Sequence, residues 1–254
     1  MKIVTLMENT RCREDLSCEH GLSLYIETGD HKILFDAGQS AAFAQNAEKL
    51  GVHLEDVDFA VLSHGHYDHG GGLGKFLEVN TQAPVYVSSY AFEAHFSRNG
   101  YIGLEPSLKD SGRMISASET TGLAEGIALY RLDCEPMDTA GLEMEEVGIR
   151  KPDDFRHEQY LLLEERGKRI LISGCSHKGI LQIVEHFRPD ILVGGFHFMK
   201  ITEEAWLKAA AETLLSYDTL YYTGHCTGQS QYDYLKTIMG EKLHYIATGT
   251  ILDI

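Results

Sequence analysis

The sequence predicts an α/β (α+β) fold in which two mixed β-sheets are sandwiched between helices. Three observations carry this expectation. Short apolar runs such as Phe59-Ala60-Val61-Leu62 and Ile170-Leu171-Ile172 lack polar alternation, as strands buried on both faces do. Each half of the chain begins with strands and continues as helix–strand alternation, which suits sheets covered by helices. Several strands end in glycine beside histidine or aspartate.

Lys2–Leu6, Leu22–Glu27 and Lys32–Phe35 read as strands, the last two joined by the hairpin signal Gly29-Asp30. Ser40–Leu50 reads as a helix, with Phe43, Ala47 and Leu50 at helical spacing and Gly51 at its end. Val57–Leu62 is a strand, Leu73–Val79 a short helix, Pro84–Val87 a strand and Ser88–Phe96 a helix. Turn residues and weak periodicity make residues 98–154 an irregular region whose one clear strand is Ala128–Leu132. Such a region is either a lid or binding loop or plain surface decoration. Regularity returns with strands Tyr160–Glu164 and Lys168–Ile172, helix Lys178–Phe187 and strand Ile191–Gly194. Helix Glu203–Ser216 follows with Thr202 as N-cap, then strand Thr219–Tyr222, helix Gln229–Met239 and strand Leu243–Ile246.

The 254 residues fit one domain spanning 1–254, and 43% hydrophobic content supports a sizeable core. No apolar run reaches transmembrane length, and Met1–Asn9 turns polar too soon for a secretory signal, so a cytoplasmic protein is expected. A net charge of −16 without a basic patch argues against nucleic acid and anionic membranes as partners. A small-molecule substrate is expected instead. The 5 cysteines include no Cys-x-x-Cys pair and are expected to be reduced.

The chemistry concentrates in His64-Gly65-His66-Tyr67-Asp68-His69, which follows a buried strand and precedes Gly70-Gly71-Gly72. Imidazole and carboxylate suit zinc, and also iron or manganese. His64 and His66 can face one ion while Asp68 and His69 face a second, the glycines allowing the tight turn this needs. Asp36, at a strand end, either accepts a ring N–H from a metal-bound histidine or caps a turn. After the strand ending at Ile172, His177 and Cys175 both reach toward a metal, unless Cys175 is a small buried hydrophobe. His225 in Gly224-His225-Cys226 is a strong ligand candidate and Cys226 a weaker one. His197, before a long helix, either protonates a leaving group or holds a substrate phosphate beside the helix dipole, or is a capping or core residue. His20 either enters the same cleft or sits in a surface turn, and His157 is a reserve ligand. His31, His53, His95, His186 and His244 show no supporting pattern.

Strands ending in glycine and a ligand, in this order, resemble the metallo-β-lactamase superfamily, with the His64–His69 block its most specific signature. The segments Glu19–Ser23, Ser173–Gly179, Gly194–His197 and Gly224–Gly228 resemble one branch, the 7,8-dihydropterin-6-methyl-4-(β-D-ribofuranosyl)-aminobenzene-5′-phosphate synthase-like proteins. The resemblance implies a four-layer αββα sandwich with two divalent ions, most commonly zinc, at one edge between the sheets. It matches Asp36 to the first acidic motif and His225 to the last histidine motif. The implied ligands are His64, His66, Asp68, His69, His177 and His225, with Cys175 where the superfamily has a bridging aspartate. The usual Gly-His-Thr motif is absent, and His157 lies nearest its place in the chain. A site without the bridging carboxylate would hold its second ion weakly or select another metal.

The expected function is a metal-dependent hydrolase that directs a metal-bound hydroxide at a small phosphorylated or ester substrate. Asp68 and His197 are its expected catalytic residues, and His20 and His197 its substrate-binding ones. The rivals are a dihydropterin-forming transferase acting on a pterin diphosphate and a non-catalytic metal-binding sensor or effector.

Overall fold

The structure is a computed structural model that describes residues 1–137, 139 and 141–254. The first half contributes β1 (Lys2–Met7), β2 (Ser23–Glu27), β3 (Lys32–Phe35), α1 (Ala42–Lys49), β4 (Phe59–Val61), α2 (Tyr67–Gly70), α3 (Leu73–Val79) and β5 (Val85–Ser88). The middle region supplies β6 (Ala94–Ser97), β7 (Gly100–Tyr101), β8 (Met114–Ala117), β9 (Thr120–Ala124), β10 (Ile127–Tyr130), β11 (Glu143–Glu146) and β12 (Ile149–Pro152). The second half adds β13 (Tyr160–Glu165), β14 (Lys168–Ile172), α4 (Ile180–Phe187), β15 (Ile191–Val193), α5 (Glu204–Leu215), β16 (Leu220–Thr223), α6 (Gln229–Met239), β17 (Leu243–Tyr245) and β18 (Ile251–Asp253).

Two seven-stranded sheets form, in the orders β18-β1-β2-β3-β4-β5-β8 and β17-β16-β15-β14-β13-β10-β9. Each is antiparallel at one end and parallel at the other: β18 to β3 antiparallel then β3 to β8 parallel, and β9 to β14 antiparallel then β14 to β17 parallel. The apolar runs explain why both faces are covered. Ile33, Phe35, Phe59 and Val61 meet Ile170, Ile172, Ile191 and Val193 in the core between the sheets. Their chain neighbours Leu34, Ala60 and Leu62 pack outward against Phe43, Ala47 and Phe76 of α1 and α3. Leu171 and Leu192 likewise pack outward against Ile183, Ala210 and Leu235 of α4, α5 and α6. Period-two alternation thus fills three cores from two sheets, which is the αββα layering expected.

Three expectations fail. Ser88–Phe96 is not a helix: Ser88 ends β5, and Ala94–Ser97 is a strand paired with β11. The 98–154 region is not irregular but supplies β7 to β12, including most of a small antiparallel sheet, β12-β11-β6-β7. Thr202 does not cap α5, whose N-cap is Glu203 without a side-chain cap bond. Gly71 and Gly72 lie in the expected turn and also meet a steric need. A Cβ at Gly72 would meet the Ala37 carbonyl oxygen at 2.1 Å and one at Gly71 the Gln39 oxygen at 2.3 Å, so they are glycine to let the loop after β3 pass. Among the described residues no helix is long and apolar enough to cross a membrane.

Candidate metal centre

The ligands that the resemblance implies, with Asp36 and His197, lie just beyond the C-terminal end of a strand, where α/β sheets present their crevices. β3 delivers Asp36, β4 the Ser63–His69 segment, β14 Cys175 to His177, β15 His197 and β16 His225. The turns are tight: Asp36, Ser176, His197 and His225 have φ of 59, 61, 59 and 51°. Non-glycine residues in this region cost on the order of 1–3 kcal/mol each and persist where surrounding contacts over-determine them. Here those contacts are visible. Buried Glu8 accepts the His225 N–H at 2.6 Å and the Tyr245 hydroxyl at 2.9 Å. Buried Glu158 accepts the His177 and Lys178 N–H groups at 2.7 and 3.0 Å.

Hydrogen bonds fix which nitrogen of each histidine faces inward. Asp36 Oδ2 accepts His69 Nδ1–H at 2.6 Å and the Ser63 hydroxyl at 2.7 Å, while Oδ1 accepts the Ser63 N–H at 2.7 Å. Ser63, its one proton given to Asp36, accepts His64 Nδ1–H at 2.8 Å. Asn9 donates its amide to the His225 carbonyl, so its Oδ1 accepts His225 Nδ1–H at 2.9 Å. The Nε2 atoms of His64, His69 and His225 are therefore left to carry lone pairs, and the last two converge. Those of His69 and His225 are 3.1 Å apart, and Asp68 Oδ2 lies 3.3 Å from the latter. Cys175 Sγ is 3.2 Å from His69 Nε2.

On the other side of His64, the ligand atoms of His64, His66 and His177 lie within 4.8 Å of one another. His64 Nε2, His66 Nε2 and both ring nitrogens of His177 are buried without a hydrogen-bond partner. A buried polar atom without a partner costs about 1–3 kcal/mol, a penalty that a cation would remove. The residues present therefore fit two adjacent divalent ions, one among His64, His66 and His177, the other among Asp68, His69, His225 and Cys175.

The electrostatics agree for His64, His66, His177 and His225, and His69 is the exception. Burial foremost, then neighbouring histidines, hold His64 and His177 well below the ordinary histidine pKa. Burial, then His157, does the same for His66. Burial also brings His225 down to about 4. These rings stay neutral and ligand-ready. Burial opposes ionisation of Asp68, but His69, His20 and His225 outweigh it and leave the carboxyl well below its usual range. Burial likewise opposes charge on His69, and Asp36 and Asp68 overcome it and raise its pKa.

Other candidates fall less simply. His20 is largely exposed, yet its Nε2 lies 3.3 Å from Asp68 Oδ2 and its ring 4.7 Å from that of His225. His197 rests 4.3 Å from the His177 ring but does not sit at a helix terminus, because residues 198–203 separate it from α5. Cys226 points its thiol at the Cys175 carbonyl, 3.4 Å away. His157 suits a ligand role less well, since its Nδ1 accepts the Gly65 N–H at 2.9 Å; its Nε2, 3.4 Å from Asp153, is buried without a hydrogen-bond partner, and the ligand atoms of His66, His95, Asp153 and His157 lie within 4.8 Å of one another. His95, read as ordinary, is wholly buried with Nδ1 2.8 Å from Asp153 Oδ2. Together His95, His157 and Asp153 brace the loop that carries His64 and His66. Sequence reading also missed Glu8, Asn9 and Glu158. Only Glu158, next to His157, adjoins a candidate residue in the chain.

Comparison with known proteins agrees with this architecture. The metallo-beta-lactamase superfamily model matches residues 16–225. An uncharacterized protein of Methanocaldococcus jannaschii is 31% identical over 242 residues, covering 89% of this chain and 90% of its own. A second protein of that organism, named 7,8-dihydropterin-6-methyl-4-(beta-D-ribofuranosyl)-aminobenzene-5′-phosphate synthase, is 28% identical over 261 residues, covering 90% of this chain and 88% of its own. The crystal structure of a protein described as a metal-dependent hydrolase of the beta-lactamase superfamily matches with a TM-score of 0.84 and 26% identity, over 100% of this chain and 99% of that one.

Proposed function

The chain belongs to the metallo-beta-lactamase superfamily, and from that premise we propose that it is a metal-dependent hydrolase of a small phosphorylated or ester substrate. In this reading His64, His66 and His177 hold one divalent ion, and Asp68, His69, His225 and Cys175 the other, zinc being the first candidate. The observation that carries it is the approach of the His69 and His225 lone pairs beside the Asp68 carboxylate, next to the unpartnered ring nitrogens of His64, His66 and His177. Ions bound there would supply Lewis acidity, bringing the pKa of a water to about 7 and drawing charge from a phosphoryl or acyl oxygen.

The chain's own residues do the rest. Asp36, Ser63 and Asn9 keep the three imidazoles in the ligating tautomer. Asp68, 3.3 Å from His20 Nε2, orients the attacking water, and His20 takes the proton out to solvent. His197, beside His177 on the wall of the adjoining cavity, protonates the leaving group. A small molecule suits a chain of net charge −16 better than a nucleic acid does.

Turnover of bis(p-nitrophenyl) phosphate, a lactone and a thioester, with zinc, manganese or iron added in turn, tests the reading. It expects metal-dependent hydrolysis of at least one, abolished in His69→Ala. Undiminished activity in a metal-depleted His64→Ala/His66→Ala protein contradicts it, and tight metal binding without any turnover favours a sensor or effector. A second reading, a dihydropterin-forming transferase, is favoured by the relative named as a synthase. Incubation with a pterin diphosphate and an aminobenzoate ribosyl phosphate separates the two by product, condensation in one case and hydrolysis in the other.

A further inference from the structure

Beside the candidate centre lies a cavity of about 320 Å³, with Ser176, His177 and His197 on its inner wall. Its other walls carry two chemistries. One is aromatic: Phe196 and Phe198 are buried, and Trp206 packs edge-on to Phe198 at 5.0 Å. Met137 and Met199 add apolar surface that is 50% and 40% exposed, more than such side chains ordinarily leave to water. Gly179, at φ 103°, is where a Cβ would meet the Met137 side chain at 2.6 Å, so the glycine keeps that methionine folded toward the cavity.

The other chemistry is cationic. Arg98, from the turn between β6 and β7, and Lys200, from the segment before α5, both line the cavity. Neither makes an ion pair or hydrogen bond among the described residues, although the chain as a whole carries −16. No carboxylate among the described residues lines the cavity. Two cations without a partner among the described residues, beside an aromatic wall, select a ligand that is anionic at one end and flat at the other. A volume at the lower end of small-molecule sites admits one ring system with its substituent and excludes a polymer.

We infer that this cavity is the substrate subsite and takes a planar aromatic molecule bearing a phosphoryl dianion, the ring against Trp206 and Phe198 and the dianion between Arg98 and Lys200. The inference rests on the hydrolase reading for its location, since the ligand must also reach the centre at His177. Two cations match a dianion better than the single charge of a carboxylate.

Trp206 is the single tryptophan, so its fluorescence reports occupancy directly and no turnover is needed. The intact, metal-loaded protein is titrated with phenylphosphonate, methylphosphonate, benzoate and benzyl alcohol, with calorimetry as a second readout. Phenylphosphonate is expected to bind at least about tenfold tighter than each of the other three. Arg98→Ala and Lys200→Ala, both at exposed positions, should each weaken phenylphosphonate about tenfold, the range of a charge-assisted hydrogen bond, and leave benzyl alcohol unchanged. Equal affinity for phenylphosphonate and methylphosphonate overturns the ring subsite. Insensitivity of phenylphosphonate to both substitutions overturns the cation pair. Because binding alone is read, Arg98-dependent binding stands even in a protein that hydrolyses nothing, and its absence sinks the inference in one that does.

Discussion

Asp36→Asn tests the lone-pair argument with the smallest change of shape. The two Asp36 oxygens accept three donors, the Ser63 N–H, the Ser63 hydroxyl and His69 Nδ1–H. Asparagine has one acceptor oxygen, and either orientation of its amide sets an NH₂ group against at least one of those donors. If the oxygen faces the Ser63 N–H, His69 loses its partner and its tautomer is no longer fixed. If the oxygen faces His69, the backbone N–H of Ser63 is orphaned in a fully buried site. Ser63 also accepts from His64 at 2.8 Å, so the disturbance reaches the other ion's ligands. Loss of an outer partner of a metal-bound histidine weakens binding about 10- to 100-fold. That is about 1.4–2.7 kcal/mol of binding free energy. Competition of the purified variant with a chromophoric zinc chelator measures it. A zinc affinity equal to that of the parent protein would refute the claim that Asp36 sets the ligating tautomer.

Three further outcomes are expected. His177→Ala should lose one metal equivalent, whereas His157→Gln, whose side-chain oxygen can still accept the Gly65 N–H, should keep both; loss of metal only in the His157 variant would reverse the assignment. In metal-free protein the neutral state of His64, His66, His177 and His225 is favoured by folding, so the unfolded chain binds more protons below about pH 6.5 and stability must fall as the solution is acidified. The slope is at most about 1.4 kcal/mol per histidine per pH unit, His69 acting in the opposite sense, and denaturant melts of chelator-treated protein at pH 7.5 and 5.5 that coincide would contradict it. Gly195→Ala puts a Cβ 2.3 Å from Cys226 Sγ and should cost about 1–3 kcal/mol, read as a lower melting temperature.

The layers and the ligands were legible because both are local in the chain. Ile170-Leu171-Ile172 shows its two buried faces in three residues, and His64 to His69 shows its chemistry in six. What brackets them was not. His157 reaches Gly65 across 92 positions, and Glu8 reaches His225 across 217. No local pattern marks a residue whose partner is that distant. In the middle region the strand at Ala128 was legible and is β10, whereas β11 and β12 were not, for a related reason: they are mostly exposed and carry no period-two apolar signal. Ser88–Phe96 misled because its apolar spacing suits a helix, yet tertiary contacts prevail. Ala91 lies where a Cβ on Gly65 would meet its carbonyl oxygen at 2.2 Å, and His95 is drawn to Asp153.

The central claim is that these buried rings and carboxylates hold two ions. Elemental analysis of the purified protein after zinc loading and desalting measures it most directly, beside His69→Ala. The account predicts about two ions per chain in the parent protein and about one in the variant, as the two ligand sets imply. One ion or none in the parent, or two retained in His69→Ala, would contradict it.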